Sequence, residues 1–81
     1  ISMSRYKMNI RGKISPEDCS VIYDYISIAG EKDDLTVQID EKEEENKEII
    51  YKMLKNKKFN IVSDEVYSGK RRYIRASRYR N

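Results

Sequence analysis

Histidine is absent from the sequence, and cysteine occurs only once, at Cys19. Without histidine, the commonest general base and the commonest metal ligand are missing, so most hydrolytic and metal-dependent chemistry is disfavoured. A single cysteine cannot form an internal disulfide, which fits a reducing cytoplasm. We therefore expect a cytoplasmic protein that has no enzymatic activity, no cofactor and no bound metal ion.

Glycine is also scarce, and its three positions are isolated from one another, which excludes a glycine-rich phosphate-binding loop. No apolar run approaches the roughly 20 residues that a membrane-spanning helix needs, and no signal peptide is visible. The length of 81 residues is typical of one small domain. Because Ile1 and Ser2 precede Met3, we treat them as a cloning remnant and assign a single domain to residues 3–81.

Charged side chains, in contrast, are abundant and unevenly distributed along the chain. Residues 49–81 contain ten basic and two acidic residues, whereas residues 1–48 contain seven basic and twelve acidic residues. This asymmetry predicts a dipolar molecule with one end that attracts phosphates. The alternative is a basic surface that only aids solubility.

A strand and a helix are predicted first. Residues 5–11 alternate between apolar and polar side chains, as expected of a half-buried strand. Ser15 and Pro16 then predict the start of a helix that continues to Ala29, with Gly30 as its end. The helix has two apolar stripes, and the second fits either the core or a contact with another subunit. The first stripe is Cys19, Ile22, Ile26 and Ala29; the second is Val21, Tyr25 and Ile28.

A second strand and a second helix follow. Leu35, Val37 and Ile39 alternate with polar residues, which predicts a strand. The acidic run of residues 40–45 then opens a helix over residues 42–57, because acidic side chains favour a helix amino terminus. The buried stripe of this helix is Ile49, Ile50, Met53 and Leu54.

The basic region, residues 59–80, predicts a β-hairpin. Ser68 and Gly69 form a two-residue connection typical of a tight turn, which would pair residues whose numbers sum to 137. Glu65 would then face Arg72 in a cross-strand ion pair. Strand alternation gives the hairpin one apolar face and one basic face, with Lys70 at the tip. The apolar face holds Ile61, Ser63, Ile74 and Ala76, and the basic face holds Arg71, Tyr73, Arg75 and Tyr79.

This combination of arginine and tyrosine indicates nucleic-acid binding. An arginine fork matches phosphate oxygens and the major-groove edge of guanine, and tyrosine adds a stacking surface. We predict binding of double-stranded DNA, although single strands and RNA also suit these residues, and an acidic protein partner is an alternative. The predicted contacts are Lys70, Arg71, Arg72, Tyr73, Arg75 and Tyr67 in the hairpin, with Lys55, Lys57 and Lys58 as flanking phosphate contacts.

The segment MLKNKKF, followed by a strand, a short turn and KRRYIRAS, resembles the third helix and wing of winged helix-turn-helix proteins. In size and element order the chain resembles the TcpK family, winged-helix accessory proteins that bind the transfer origin of clostridial conjugative plasmids within the relaxosome. The resemblance implies an α+β, winged-helix-like domain of order β-α-β-α-β-β with a C-terminal wing. It also implies a homodimer that binds DNA mainly through the wing, with a relaxase as a possible partner.

The chain departs from the usual winged-helix pattern between its second strand and second helix. Only the acidic residues 40–45 are available for the family's additional helix, and acid there would repel phosphates, which favours binding through the wing. The element order also resembles that of TusA-type sulfur carriers, which place a cysteine immediately before a proline. Here Ser15 precedes Pro16, and Cys19 lies three residues later, so the sulfur-carrying position is not matched.

Overall fold

The computed structural model describes residues 5–29 and 33–78, and it forms one mixed sheet and two helices. The order β-α-β-α-β-β and the α+β class are those predicted from the sequence. The elements are β1 (Arg5–Asn9), α1 (Pro16–Ile28), β2 (Asp34–Asp40), α2 (Glu44–Asn56), β3 (Asn60–Tyr67) and β4 (Arg71–Ser77). The predicted stop at Gly30 and the predicted face position of Tyr79 lie outside the described residues.

The start of α1 is fixed by a capping box. The backbone N–H of Asp18 donates to the Ser15 hydroxyl, and the backbone N–H of Ser15 donates to the Asp18 carboxylate. Pro16 occupies the first turn, where its missing N–H is not needed. The predicted helix start is therefore confirmed, together with its physical reason. By contrast, α2 starts two residues later than predicted and has no side-chain cap at Glu43.

The sheet has the strand order β1-β2-β4-β3. β1 and β2 are parallel and are joined through α1, whereas β4 is antiparallel to both of its neighbours. β4 is therefore a central strand, paired along its full length on both sides. We call the end of the sheet beside the hairpin turn, residues 68–70, the tip end. The opposite end, where Asn60 faces Ser77, is the base end.

The core lies on one face of this sheet, under both helices. Leu35, Val37 and Ile39 of β2 point into it, beside Ile74 and Ala76 of β4. Both helices contribute to the same cluster, so they cover the same face and leave the other face open. The helix and loop residues of the core are Ile14, Ile22, Ile26, Ala29, Ile50, Leu54 and Phe59.

The register of the hairpin differs from the prediction near its tip. Ile61 faces Ala76, as expected, but a bulge between Ile61 and Ser63 shifts all later pairs by one residue. Glu65 consequently faces Tyr73, so the predicted Glu65–Arg72 pairing is wrong. The same shift places Ser63 opposite Arg75, on the open face instead of the apolar one. An inserted residue of this kind leaves no signal in the alternation pattern on which the prediction was based.

One buried polar side chain connects the two halves of the domain. Asn46, on the first turn of α2, is fully buried. Its amide nitrogen donates to the carbonyl of Gly12 at 2.8 Å, and its carbonyl accepts from the N–H of Ile14 at 3.0 Å. These two bonds hold the β1–α1 connection against α2, and the second satisfies the N–H of Ile14, which would otherwise be buried without a partner.

Candidate nucleic-acid interface

The open face of the sheet carries polar side chains in cross-strand rows. One row runs through Lys7, Thr36, Arg75 and Ser63, and the next runs through Asn9, Gln38, Tyr73 and Glu65. Arg71 and Tyr67 face each other in a third row, closest to the tip end. The prediction that Arg71, Tyr73 and Arg75 share one face of β4 is therefore confirmed.

Arg71, although it is on this face, is engaged within the protein. Its guanidinium donates to the Asp40 carboxylate at 2.5 Å, to the carbonyl of Ile10 at 3.3 Å and to the side chain of Asn9. Only 16% of its side chain is exposed. Two hydrogen bonds lower the pKa of the Asp40 carboxyl: the bond from the N–H of Gly12 has the larger effect, and the bond from Arg71 the smaller. A phosphate would have to replace this ionised partner.

Arg72 lies on the other face of β4, beneath the helix layer. It donates to both Glu41 oxygens at 2.8 Å and to Asp64 at 2.5 Å, with 17% of its side chain exposed. The Tyr51 hydroxyl donates to the other Asp64 oxygen at 2.5 Å. Burial by itself would raise the pKa of Asp64, but the hydrogen bonds from Tyr51 and Arg72 lower it below its usual value. Arg71 and Arg72 thus point to opposite sides of the sheet.

Of the three arginines on β4, Arg75 is the most accessible, with 51% of its side chain exposed. Its guanidinium forms an ion pair with Asp34 at 3.1 Å. It borders a shallow depression of about 280 Å³ on the open face. Two cationic residues of β1, Arg5 and Lys7, line the same depression together with Thr36 of β2. Three cationic side chains therefore surround a space that contains one acidic group, Asp34.

Tyr67 and Tyr73 form an aromatic pair beside this depression. Their ring centroids are 4.9 Å apart and their planes meet at 83°, an edge-to-face contact. The Tyr67 hydroxyl donates to Glu65 at 2.5 Å, and this bond raises the pKa of the phenol. Tyr67 is 53% exposed. The pair offers an aromatic surface between the row of Arg75 and the tip end.

The three predicted lysines of the α2 region lie at the base end, away from the hairpin tip. Lys55 and Lys58 are exposed, whereas the Lys57 ammonium lies 4.4 Å from the centre of the Tyr23 ring. Cationic side chains at this position stabilise a helix carboxyl terminus. The structure therefore does not bring Lys55, Lys57 and Lys58 together with Lys70. The cationic surface has its accessible members at the base end and on the open face.

The tip end itself is rich in acidic groups. Asp40, Glu41 and Asp64 surround the two arginines there, and the acidic start of α2 lies at the same end of the sheet. Lys70 is exposed, and its carbonyl accepts the N–H of Glu41 at 2.9 Å. The tip thus combines Lys70, which the sequence also placed there, with several carboxylates that the sequence did not place beside the hairpin.

Sequence reasoning missed Arg5 and Lys7 as members of the site. Their alternation placed them on the polar side of a strand but gave no information about the neighbouring strand. One sequence feature could have revealed them: the order strand-helix-strand is typical of two strands that pair in parallel. In the structure this pairing places Lys7 beside Thr36. From Thr36, the antiparallel pairing leads directly to Arg75.

The segment between β2 and α2 is a short turn over residues 41–43, with no additional helix. Comparisons of the chain with protein families, with curated proteins and with solved structures found no match. Within residues 5–29 and 33–78, neither helix is long and apolar enough to cross a membrane.

Proposed function

We propose that this protein binds nucleic acid through the open face of its sheet, with phosphates held at the depression lined by Arg5, Lys7 and Arg75. The observation that carries this proposal is the convergence of these three cations, from two strands far apart in the sequence, around one carboxylate. Arginine and lysine side chains are the usual contacts to phosphate oxygens. The aromatic pair next to them supplies a surface for bases or sugars.

The hairpin contributes less to binding than the sequence predicts. Arg71 and Arg72 must break ion pairs before they can contact phosphate, and ion-pair partners compete most strongly when they are partly shielded from water. Lys70 and Tyr67 stay candidate contacts, because both are exposed. The exposed lysines Lys55 and Lys58 stay candidate phosphate contacts at the base end, and the half-buried Lys57 lies beside them.

We also propose that the protein is cytoplasmic and forms a homodimer. Val21 and Ile28, two members of the second stripe of α1, are exposed apolar side chains on one side of that helix. An exposed apolar pair of this kind favours a protein contact. The resemblance to relaxosome accessory proteins makes a plasmid transfer origin a specific duplex to test, and a relaxase a specific partner to test.

The experiment is fluorescence polarisation of a labelled DNA fragment, with the dissociation constant measured over a range of salt concentrations. Arg75→Ala and Lys7→Ala should each weaken binding of any sequence and lower the salt slope by about one. Lys13→Ala is the matched control, since Lys13 is an exposed lysine that lies beside Glu45 at the tip end. The proposal is wrong if the protein binds no nucleic acid at about 50 mM salt, or if Lys13→Ala has the same effect as the other two variants.

A further inference from the structure

From the geometry of the open face, and resting on the function proposed above, we infer that the nucleic acid is bound as an unpaired strand, with a base stacked on the Tyr67–Tyr73 pair. Stacking on an aromatic side chain requires that the base leave its own stack, which a single strand allows at low cost. Both tyrosines lie on a face that no described helix covers.

The shape of the hairpin disfavours its insertion into the groove of a duplex. A wing that enters a duplex groove must project beyond its sheet, but β4 is paired with both β2 and β3 over its whole length. The hydrogen bond from the N–H of Glu41 to the carbonyl of Lys70 extends this pairing to the last residue of the turn. Only Ser68 and Gly69 extend past the paired sheet. The hairpin is therefore an integral part of a broad surface.

The charge at the tip also disfavours contact with a duplex there. The side chains that would meet the backbone of a duplex there include carboxylates on Asp40, Glu41 and Asp64, which hold Arg71 and Arg72. Because these carboxylates neutralise Arg71 and Arg72, the tip offers little net attraction to the phosphates on either side of a groove. The open face, in contrast, places its accessible cations beside the rings. The charge distribution thus favours a ligand that lies along the sheet.

The spacing of side chains on β4 allows one ligand to use both the ring and the cation. Along β4, Tyr73 lies two residues from Arg75 on the same face, a separation of about 6.6 Å in a strand. A base stacked on the ring can therefore keep a neighbouring phosphate close to the arginine. Gln38, next to Tyr73 in the same cross-strand row, adds an amide that can donate to and accept from a base edge.

The test compares three labelled ligands at matched salt by fluorescence polarisation: a 12-nucleotide thymidine DNA, a uridine RNA of the same length and a 12-base-pair duplex. We expect the single strands to bind more tightly than the duplex. Tyr73→Leu and Tyr67→Leu should weaken their binding roughly five- to hundredfold and leave the salt slope unchanged. Tyr73→Phe, which keeps the ring, should bind like the wild type.

An abasic DNA strand of the same length separates stacking from phosphate binding, because it keeps the charges and removes the bases. It should bind more weakly than thymidine DNA and be insensitive to Tyr73→Leu. Tighter binding of the duplex, or equal loss in Tyr73→Phe and Tyr73→Leu, would overturn this inference and leave the proposed nucleic-acid function standing. Absence of binding to every ligand would overturn both. The DNA and RNA arms identify which unpaired strand is preferred.

Discussion

Replacing the buried Asn46 should have a larger effect on folding stability than replacing any exposed asparagine. Asn46→Leu removes the donor to the partly buried Gly12 carbonyl and the acceptor for the buried Ile14 N–H. An unsatisfied buried backbone group costs about 1–3 kcal/mol, which applies to the N–H of Ile14, and the partly buried carbonyl of Gly12 adds a smaller cost. A domain of this size has a total stability of about 4–12 kcal/mol. The variant should therefore be strongly destabilised.

Asn46→Asp provides a second, pH-dependent form of the same test. The introduced carboxyl can accept from Ile14 in either form, but it can donate to the Gly12 carbonyl only when it is protonated. Burial and the facing carbonyl oxygen should raise its pKa in the folded state above the unfolded value of about 3.9. A raised folded pKa gives stability that is present at low pH and is lost as the pH rises through that pKa.

The assay is urea unfolding followed by far-UV circular dichroism at pH 7.5 and at pH 4.5. Asn60→Asp serves as the control, because Asn60 is exposed at the start of β3. We expect Asn46→Asp to be far less stable than Asn60→Asp at pH 7.5, and the difference to shrink at pH 4.5. If the two variants have equal stability at pH 7.5, or a difference that does not depend on pH, Asn46 does not connect the two segments as described.

Further predictions concern ionisation, the turn and association. Burial and the bond to Asp64 raise the pKa of Tyr51 to about 12, so alkaline titration at 295 nm should show a phenol ionising near pH 12 that Tyr51→Phe removes; equal titration curves would refute this. The pKa of Asp64 is lower in the folded than in the unfolded state, so the ionised carboxylate stabilises the fold above about pH 4, and this stabilisation is lost as the pH falls through the folded-state pKa. In urea unfolding, Asp64→Asn should therefore lose less stability between pH 4 and pH 2 than the wild type. Gly69→Ala should lower stability by about 1 kcal/mol, because Gly69 has φ of +62°, and equal midpoints in urea would contradict the described turn. If α1 forms a homodimer contact, Val21→Asp should shift the protein to a monomer in sedimentation at micromolar concentration without loss of folding, and a wild-type monomer would dismiss the contact.

The fold was largely predictable because local patterns determine most of it. Alternation identified β1 and β2. The capping residues Ser15 and Pro16 predicted the start of α1 at the same residue at which the helix begins in the structure. Periodicity also identified Ile50 and Leu54 as core residues of α2. These signals act over a few residues, so a sequence contains them in full.

The site was harder to predict because it depends on contacts between distant segments. The sequence shows which cationic residues the hairpin contains but not which groups they contact. Arg71 and Arg72 pair with Asp40 and Glu41, which lie about 30 residues earlier in the chain. Sequence reasoning assigned that acidic run to the start of α2 and expected it to repel phosphates, but did not pair it with the arginines of the hairpin. Nor does any local pattern show that a strand is central. Alternation along β4 turns Arg72 into the helix layer, where it needs carboxylate partners, whereas Arg71 and Arg75 lie on the open face.

The common direction of the two helices has a consequence for the kinetics of association. Both start at the tip end with acidic residues, and Lys55, Lys57 and Lys58 accumulate where α2 finishes. A polyanion approaching by diffusion therefore exerts a torque that turns the base end towards it before any contact forms. Neutralising these lysines in pairs should slow the encounter and leave the lifetime of the complex almost unchanged. If the proposed function holds, the domain meets its nucleic-acid ligand with the base end already turned towards it.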